Sequence, residues 1–163
     1  MTHEQLVNWV LCAAVYVSGS GDTEWLNDNI NVFEKCLESM VNRDHPEPDK
    51  RNGIMALDSS RTLDGAEITT YDSLDQSLGQ ARNNVYIAVK SWAAYLALAK
   101  YLNAERAATA SEQADKAAGS ITSFLNEDGY IPAIMGEDCD SRIIPAIEGL
   151  VFPYVLDMHE DLK

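Results

Sequence analysis

Apolar residues recur at helical spacing in four separate blocks of this chain, with polar or glycine-containing stretches between them. In the first block Leu6, Trp9, Val10, Ala13 and Val17 step by three and four residues. Thr2 followed by Gln5 has the form of a capping box, so a helix is expected over 3–18. Ser18-Gly19-Ser20-Gly21 breaks it, and Asp22 is a good N-cap for a second helix ending near residue 43, with Leu26, Ile30, Phe33, Leu37 and Met40 on one stripe. A third helix, expected over 80–102, turns Val85, Ala88, Val89, Trp92, Leu96 and Ala99 inward. Asn103-Ala104 turns the chain, and a fourth helix carries Ala107, Ala110, Ala114, Ala117, Ile121 and Phe124 to about residue 126. The small residues of this fourth stripe permit close packing.

Two stretches lose the helical period. The first, from Asp44 to about Gly79, is punctuated by Pro46, Pro48, Gly53 and Gly65, and is too long for an ordinary connection. Its apolar residues Ile54, Met55, Leu57, Ile68, Tyr71 and Leu74 argue for an ordered loop folded against the body. The second runs from Glu127 to about Ala146. A last apolar piece, 147–162, is interrupted by Pro153, with helix expected on either side of it. Two short turns join the four helices pairwise, so the second helix ends, the third starts and the fourth ends on one face of the array. Both long polar loops therefore converge on one rim. The second loosely echoes the first, as a repeated helical hairpin would. The expected fold is all-α.

Composition narrows the partners more than the fold. The 12 basic against 26 acidic residues give a formal charge of −14, which disfavours nucleic acid and anionic membrane surfaces and leaves neutral ligands such as sugars open. At 163 residues and 46% hydrophobic content the chain can form one domain with a buried core. Met1-Thr2-His3-Glu4 has no basic region ahead of an apolar core. The longest apolar run, 10–17, falls far below the roughly 20 residues of a membrane span. A soluble cytoplasmic chain is expected. Cys12, Cys36 and Cys139 are widely spaced and read as buried free thiols, and His3, His45 and His159 have no ligand-like spacing. No metal site and no cofactor are expected.

The best candidate site is the polar loop Glu67-Ile68-Thr69-Thr70-Tyr71-Asp72-Ser73-Leu74-Asp75-Gln76-Ser77-Leu78-Gly79-Gln80-Ala81-Arg82-Asn83-Asn84, which empties into the third helix. Asp72, among hydroxyl side chains, reads either as a general acid whose pKa burial raises or as a carboxylate that holds the loop through backbone hydrogen bonds. Asp75 lies nearer the helix start, where its charge serves capping, or it shares the acid's role. Arg142, with Asp140 and Ser141, either binds substrate hydroxyls or a carboxylate, or pairs with a local acid. Glu148 reads as a cap or as a group reaching the rim, and Arg82 as a loop clamp. No reaction can be read from these residues alone.

Several blocks carry a resemblance that spans essentially the whole chain. They are Arg51-Asn52-Gly53-Ile54-Met55, Asp58-Ser59-Ser60-Arg61, the stretch 67–84, Lys90-Ser91-Trp92-Ala93-Ala94-Tyr95, and Asp140-Ser141-Arg142-Ile143-Ile144-Pro145-Ala146-Ile147-Glu148-Gly149-Leu150-Val151-Phe152-Pro153. In these the chain resembles glycoside hydrolase family 52, the retaining β-xylosidases, and more distantly the family 116 β-glucosidases. The resemblance implies an (α/α)6 toroid of helical hairpins with the sugar site at one end. The four helices and part of a fifth amount to about a third of that toroid.

On the resemblance Asp72, in Thr70-Tyr71-Asp72, matches the acid/base, and Tyr71, Asp75, Arg142 and Glu148 fall at the sugar subsite. The nucleophilic glutamate of such enzymes lies upstream of the Thr-Tyr-Asp loop, and no Glu in 1–66 matches it. Residues 1–163 are accordingly expected to be one partial domain, the C-terminal portion of the toroid, without the N-terminal β-sandwich and inactive alone. The substrate implied for the whole enzyme is a short xylo-oligosaccharide. The isolated slice is expected to self-associate or to pair with the missing half. The rival from another class is a stand-alone helical interaction or assembly module derived from the enzyme.

Overall fold

The computed structural model describes residues 2–45, 47–55, 83–136, 139–142 and 144–158, with backbone alone for 144–146. Helix α1, His3–Ser20, begins at the expected capping box: the Gln5 amide donates to Thr2 Oγ1 at 3.2 Å and the Thr2 amide donates to Gln5 Oε1 at 3.0 Å. Helix α2, Thr23–Asn42, is capped by the Asp22 carboxylate, which accepts from the Trp25 amide at 2.9 Å and from the Tyr16 hydroxyl at 2.7 Å. The turn between them is too short for any but an antiparallel hairpin. Trp9 and Tyr101 both meet the Phe33 ring edge-on, at 5.4 and 6.2 Å between centroids.

Helix α3, Val85–Tyr101, is the axis of the structure. It packs against α1, α2, helix α4 (Ala104–Ser123), a 3₁₀ helix over Ile144–Leu150 and the short helix α5, Val151–Val155. The sequence predicts a single inward stripe, yet every residue of α3 from Val85 to Leu98 except Trp92 is buried, Lys90 and Ser91 included. A helix covered on all sides is a core element. The α3–α4 contact is close because α4 turns Ala110, Ala114 and Ala117 to it.

Several boundaries differ from the periodic pattern. Helix α3 starts at Val85 and not near residue 80, because Asn84 is its N-cap, with Oδ1 accepting from the Tyr86 and Ile87 amides at 2.9 and 3.4 Å. Asn83 before it is left-handed at φ 54. Helix α4 stops at Ser123, three residues early, where the Phe124 and Leu125 amides turn to the carbonyls of Ile121 and Thr122. Pro153, expected to interrupt the last segment, sits in the first turn of α5, where its missing N–H needs no partner. Of the three thiols only Cys36 is buried. Cys12 faces solvent from the outer side of α1 and Cys139 is half-buried.

The expected convergence at one end is visible in the described residues. Past α2 the buried Asp44 carboxylate accepts from the amides of Asn52 and Gly53, at 3.1 and 2.7 Å. Ser120 of α4 donates to the Asn52 carbonyl at 2.8 Å. Gly53 is required here, since its φ is +81° and a Cβ would lie 2.3 Å from the Ala117 nitrogen. Asn84 pairs with Ile134 in an isolated antiparallel bridge, flanked by bonds from the Val85 amide to the Ala133 carbonyl and from the Met135 amide to the Asn83 carbonyl, at 3.0 and 2.9 Å. Beneath these loops Ile54, Val85, Ala88, Val89, Ile121 and Met135 form a small second core.

Candidate functional site

Of the five residues named for catalysis or sugar binding, two are described and three are not. Tyr71, Asp72 and Asp75 lie outside the described residues, as does Arg82. Arg142 and Glu148 are described, and each rests on a partner that periodicity did not foretell.

Arg142 belongs to a strip pinned to the rim by a bond from the Ala133 amide to the Ser141 carbonyl at 2.8 Å. Its guanidinium lies 3.8 Å from the centroid of the Tyr130 ring, and the Tyr130 hydroxyl reaches back to the Asp140 carbonyl at 3.4 Å. Stacking of this kind occupies the face of the guanidinium and leaves its N–H edge available. Arg142 is exposed, so that edge is open to a ligand with hydroxyl or carboxylate oxygens.

Glu148 projects from the 3₁₀ helix and is half exposed. Its Oε1 accepts from Lys90 Nζ at 3.1 Å, while the lysine side chain is only 2% exposed against 50% for the glutamate. Lys90 also donates to the Tyr86 hydroxyl at 3.0 Å, one helical turn back, and that hydroxyl donates to Glu4 Oε1 at 2.8 Å. Burial, and then the neighbouring Glu4 carboxylate, push the Tyr86 phenol well above its ordinary range, so it stays a donor at neutral pH. The chain Glu4–Tyr86–Lys90–Glu148 ties the start of α1 to α3 and the 3₁₀ helix. It holds one oxygen of Glu148, whose side chain is half exposed. Lys90 is the member of this network that sequence reasoning missed. Its signal was a lone lysine in the apolar run Val85–Ala99, four residues after a tyrosine.

Beside this chain, His3 is fully buried and its Nε2 meets Ser91 Oγ at 2.8 Å. Ser91 gives its own proton to the Ile87 carbonyl at 2.8 Å, so the imidazole donates through Nε2 and carries a bare Nδ1, which has no hydrogen-bond partner among the described residues. Burial, helped by the Arg43 charge, lowers the His3 pKa to about 3. A neutral imidazole locked under a helix start is a packing group. Among the described residues no three His, Cys, Asp or Glu side chains gather as a metal-binding set.

An open, stacked arginine and a lysine-anchored carboxylate each offer polar groups to a hydroxyl-bearing ligand. The chain is similar to β-xylosidases. It is 64% identical over 166 aligned residues, 99% of its own length, to a β-xylosidase of Geobacillus stearothermophilus, of which it covers 24%. A second β-xylosidase of the same organism is 46% identical over 129 residues, 77% of this chain and 21% of that protein. The chain therefore spans about a quarter of the length of the curated relatives it matches. No protein-family model matches it. No helix among the described residues is long and apolar enough to cross a membrane.

Proposed function

We propose that these 163 residues are part of a retaining β-xylosidase of glycoside hydrolase family 52, in which they supply the acid/base loop and part of the sugar subsite. The observation that carries this reading is the 64% identity to a β-xylosidase along 99% of the chain. In the proposed reaction a carboxylate from outside this chain attacks the anomeric carbon of a terminal β-1,4-linked xylosyl unit. Asp72 gives its proton to the departing glycosidic oxygen as the C–O bond breaks. Water then attacks the covalent xylosyl ester, Asp72 takes its proton, and xylose leaves with its original anomeric configuration. The two carboxylates of such a pair stand about 5 Å apart.

Tyr71, Asp75, Arg142 and Glu148 line the subsite in this reading. Arg142 donates to sugar oxygens and Glu148 accepts from sugar hydroxyls. Alone, the chain has no nucleophile for the covalent step and does not hydrolyse xylosides.

A graft in which this chain replaces the aligned stretch of the Geobacillus β-xylosidase tests the proposal. Hydrolysis of an aryl β-xyloside, with β-xylose as the first product seen by NMR, supports it. An active isolated chain, or a folded graft without activity, overturns it.

A further inference from the structure

The last described segment, over residues 147–158, carries apolar side chains on both of its faces. Its inner face is bound to the body. Gly149 sits so close to α3 that a Cβ would lie 2.7 Å from the Val89 backbone, Pro153 and Leu156 are buried, and Phe152 and Met158 pack on the main core. Lys100 pins the end of α5 by donating to the Leu156 carbonyl at 2.5 Å.

The outer face carries Ile147, Leu150, Val151, Tyr154 and Val155, all exposed, with Ile147 at 61% and Val151 at 55%. The other exposed large apolar residues among those described are Tyr16 and Leu125, far apart in sequence, so this face is where such surface concentrates. A surface helix presents polar residues outward, and one that is apolar all round lies between two layers. The structure supplies one of those layers.

Two observations choose the other. The chain aligns over 99% of its own length yet covers 24% of its relative, so about three-quarters of that relative lies outside the matched stretch and must pack against something. A second copy of this chain is disfavoured, because each carries a charge of −14 and the apolar face is bordered by Glu148 and Asp157.

We infer that the outer face of residues 147–155 is the contact surface for the remainder of the β-xylosidase polypeptide. The inference rests on the proposed function and adds where this chain docks. Glu148 lies within the same segment, so docking there brings the partner polypeptide to the edge of the proposed sugar subsite.

Cysteine labelling of Val151→Cys tests it, in the isolated chain and in the graft, with modification of residue 151 followed site by site with a maleimide and mass spectrometry. Val155→Cys serves as a second probe in case the first disturbs packing. The expected result is rapid labelling in the isolated chain and labelling slowed tenfold or more in a graft that hydrolyses xyloside. Equal rates in an active graft overturn the docking surface while leaving the proposed function standing. A folded graft without hydrolysis overturns both. Protection already present in the isolated chain also overturns the inference: if it fades on dilution a second copy covers the face, and if it persists the chain covers itself.

Discussion

The Lys90–Glu148 pair makes a prediction whose sign depends on which partner is removed. Lys90 is 2% exposed and Glu148 is 50% exposed. At 3.1 Å the pair's attraction is about 5 kcal/mol if the effective dielectric constant is about 20, and the desolvation of the buried ammonium costs several kcal/mol in the opposite direction. Replacing Glu148 by Ala removes the attraction and leaves the desolvated charge, with the Tyr86 hydroxyl as its remaining acceptor in this network. Broken buried pairs cost about 3–5 kcal/mol, and the half-exposed position of Glu148 brings the expected loss down to about 2–3 kcal/mol. Replacing Lys90 by Met removes both the attraction and the desolvation, while Glu148 turns to water, so the change is expected within about 1 kcal/mol of zero.

The double variant follows Lys90→Met, because Glu148→Ala costs little once the ammonium is gone. Urea unfolding at neutral pH, followed by far-UV circular dichroism, reads all three differences. If Lys90→Met loses as much stability as Glu148→Ala, the pair is a net attraction and this reasoning is wrong.

Three further outcomes follow from the fold. His3 has a folded-state pKa of about 3 against an ordinary 6.5, so between those values only the unfolded chain takes up the proton. Its contribution is fully present above pH 6.5 and is lost as pH falls toward 3, with a slope approaching about 1.4 kcal/mol per pH unit. His3→Gln should flatten that part of the stability profile, and an unchanged slope would count against a buried neutral imidazole. Gly53→Ala places a Cβ against the α4 backbone at a left-handed position, with an expected loss of about 2–4 kcal/mol in the same unfolding assay. Asn84→Ala removes the side-chain acceptor from the first turn of α3, costing about 1–2 kcal/mol, and hydrogen exchange at the Tyr86 and Ile87 amides should accelerate.

The parts of the fold that were legible are those fixed locally. Thr2 with Gln5 and Asp22 mark helix starts through side-chain oxygens beside free amides, and the structure uses both; Asn103, read from sequence only as a turn, caps the fourth helix in the same way. The convergence of the loops also followed from sequence, since two short turns between long helices leave little choice of where the other ends fall.

Burial on all sides of α3 was not legible, because Ala and Ser are neutral in a periodicity count and a lysine reads as surface. Lys90 is held in the core by the Tyr86 hydroxyl and by a carboxylate on a segment 58 residues away. Cys12 misled in the opposite direction: its apolar neighbours suggested burial, but its own direction on α1 is outward. The start of α3 was placed too early because Gln80, Ala81 and Arg82 are good helix formers, while the decisive group is the Asn84 cap. The role of a loop carboxylate such as Asp72 leaves no periodic trace. Only family resemblance distinguished it from Asp75, and both lie outside the described residues.

The central claim is that Asp72 is the acid/base of a β-xylosidase to which this chain contributes. The most direct measurement compares Asp72→Asn with Asp75→Asn in the graft, on two aryl β-xylosides whose leaving groups differ widely in acidity. A poor leaving group needs a proton to depart and a very acidic phenol does not. Asp72→Asn should therefore cut kcat/KM for the poor leaving group by at least about a hundredfold, while formation of the xylosyl ester from the acidic phenol is largely spared. Asp75→Asn should affect both substrates alike. Equal losses on both substrates at Asp72, or the leaving-group dependence appearing at Asp75 instead, would contradict the account.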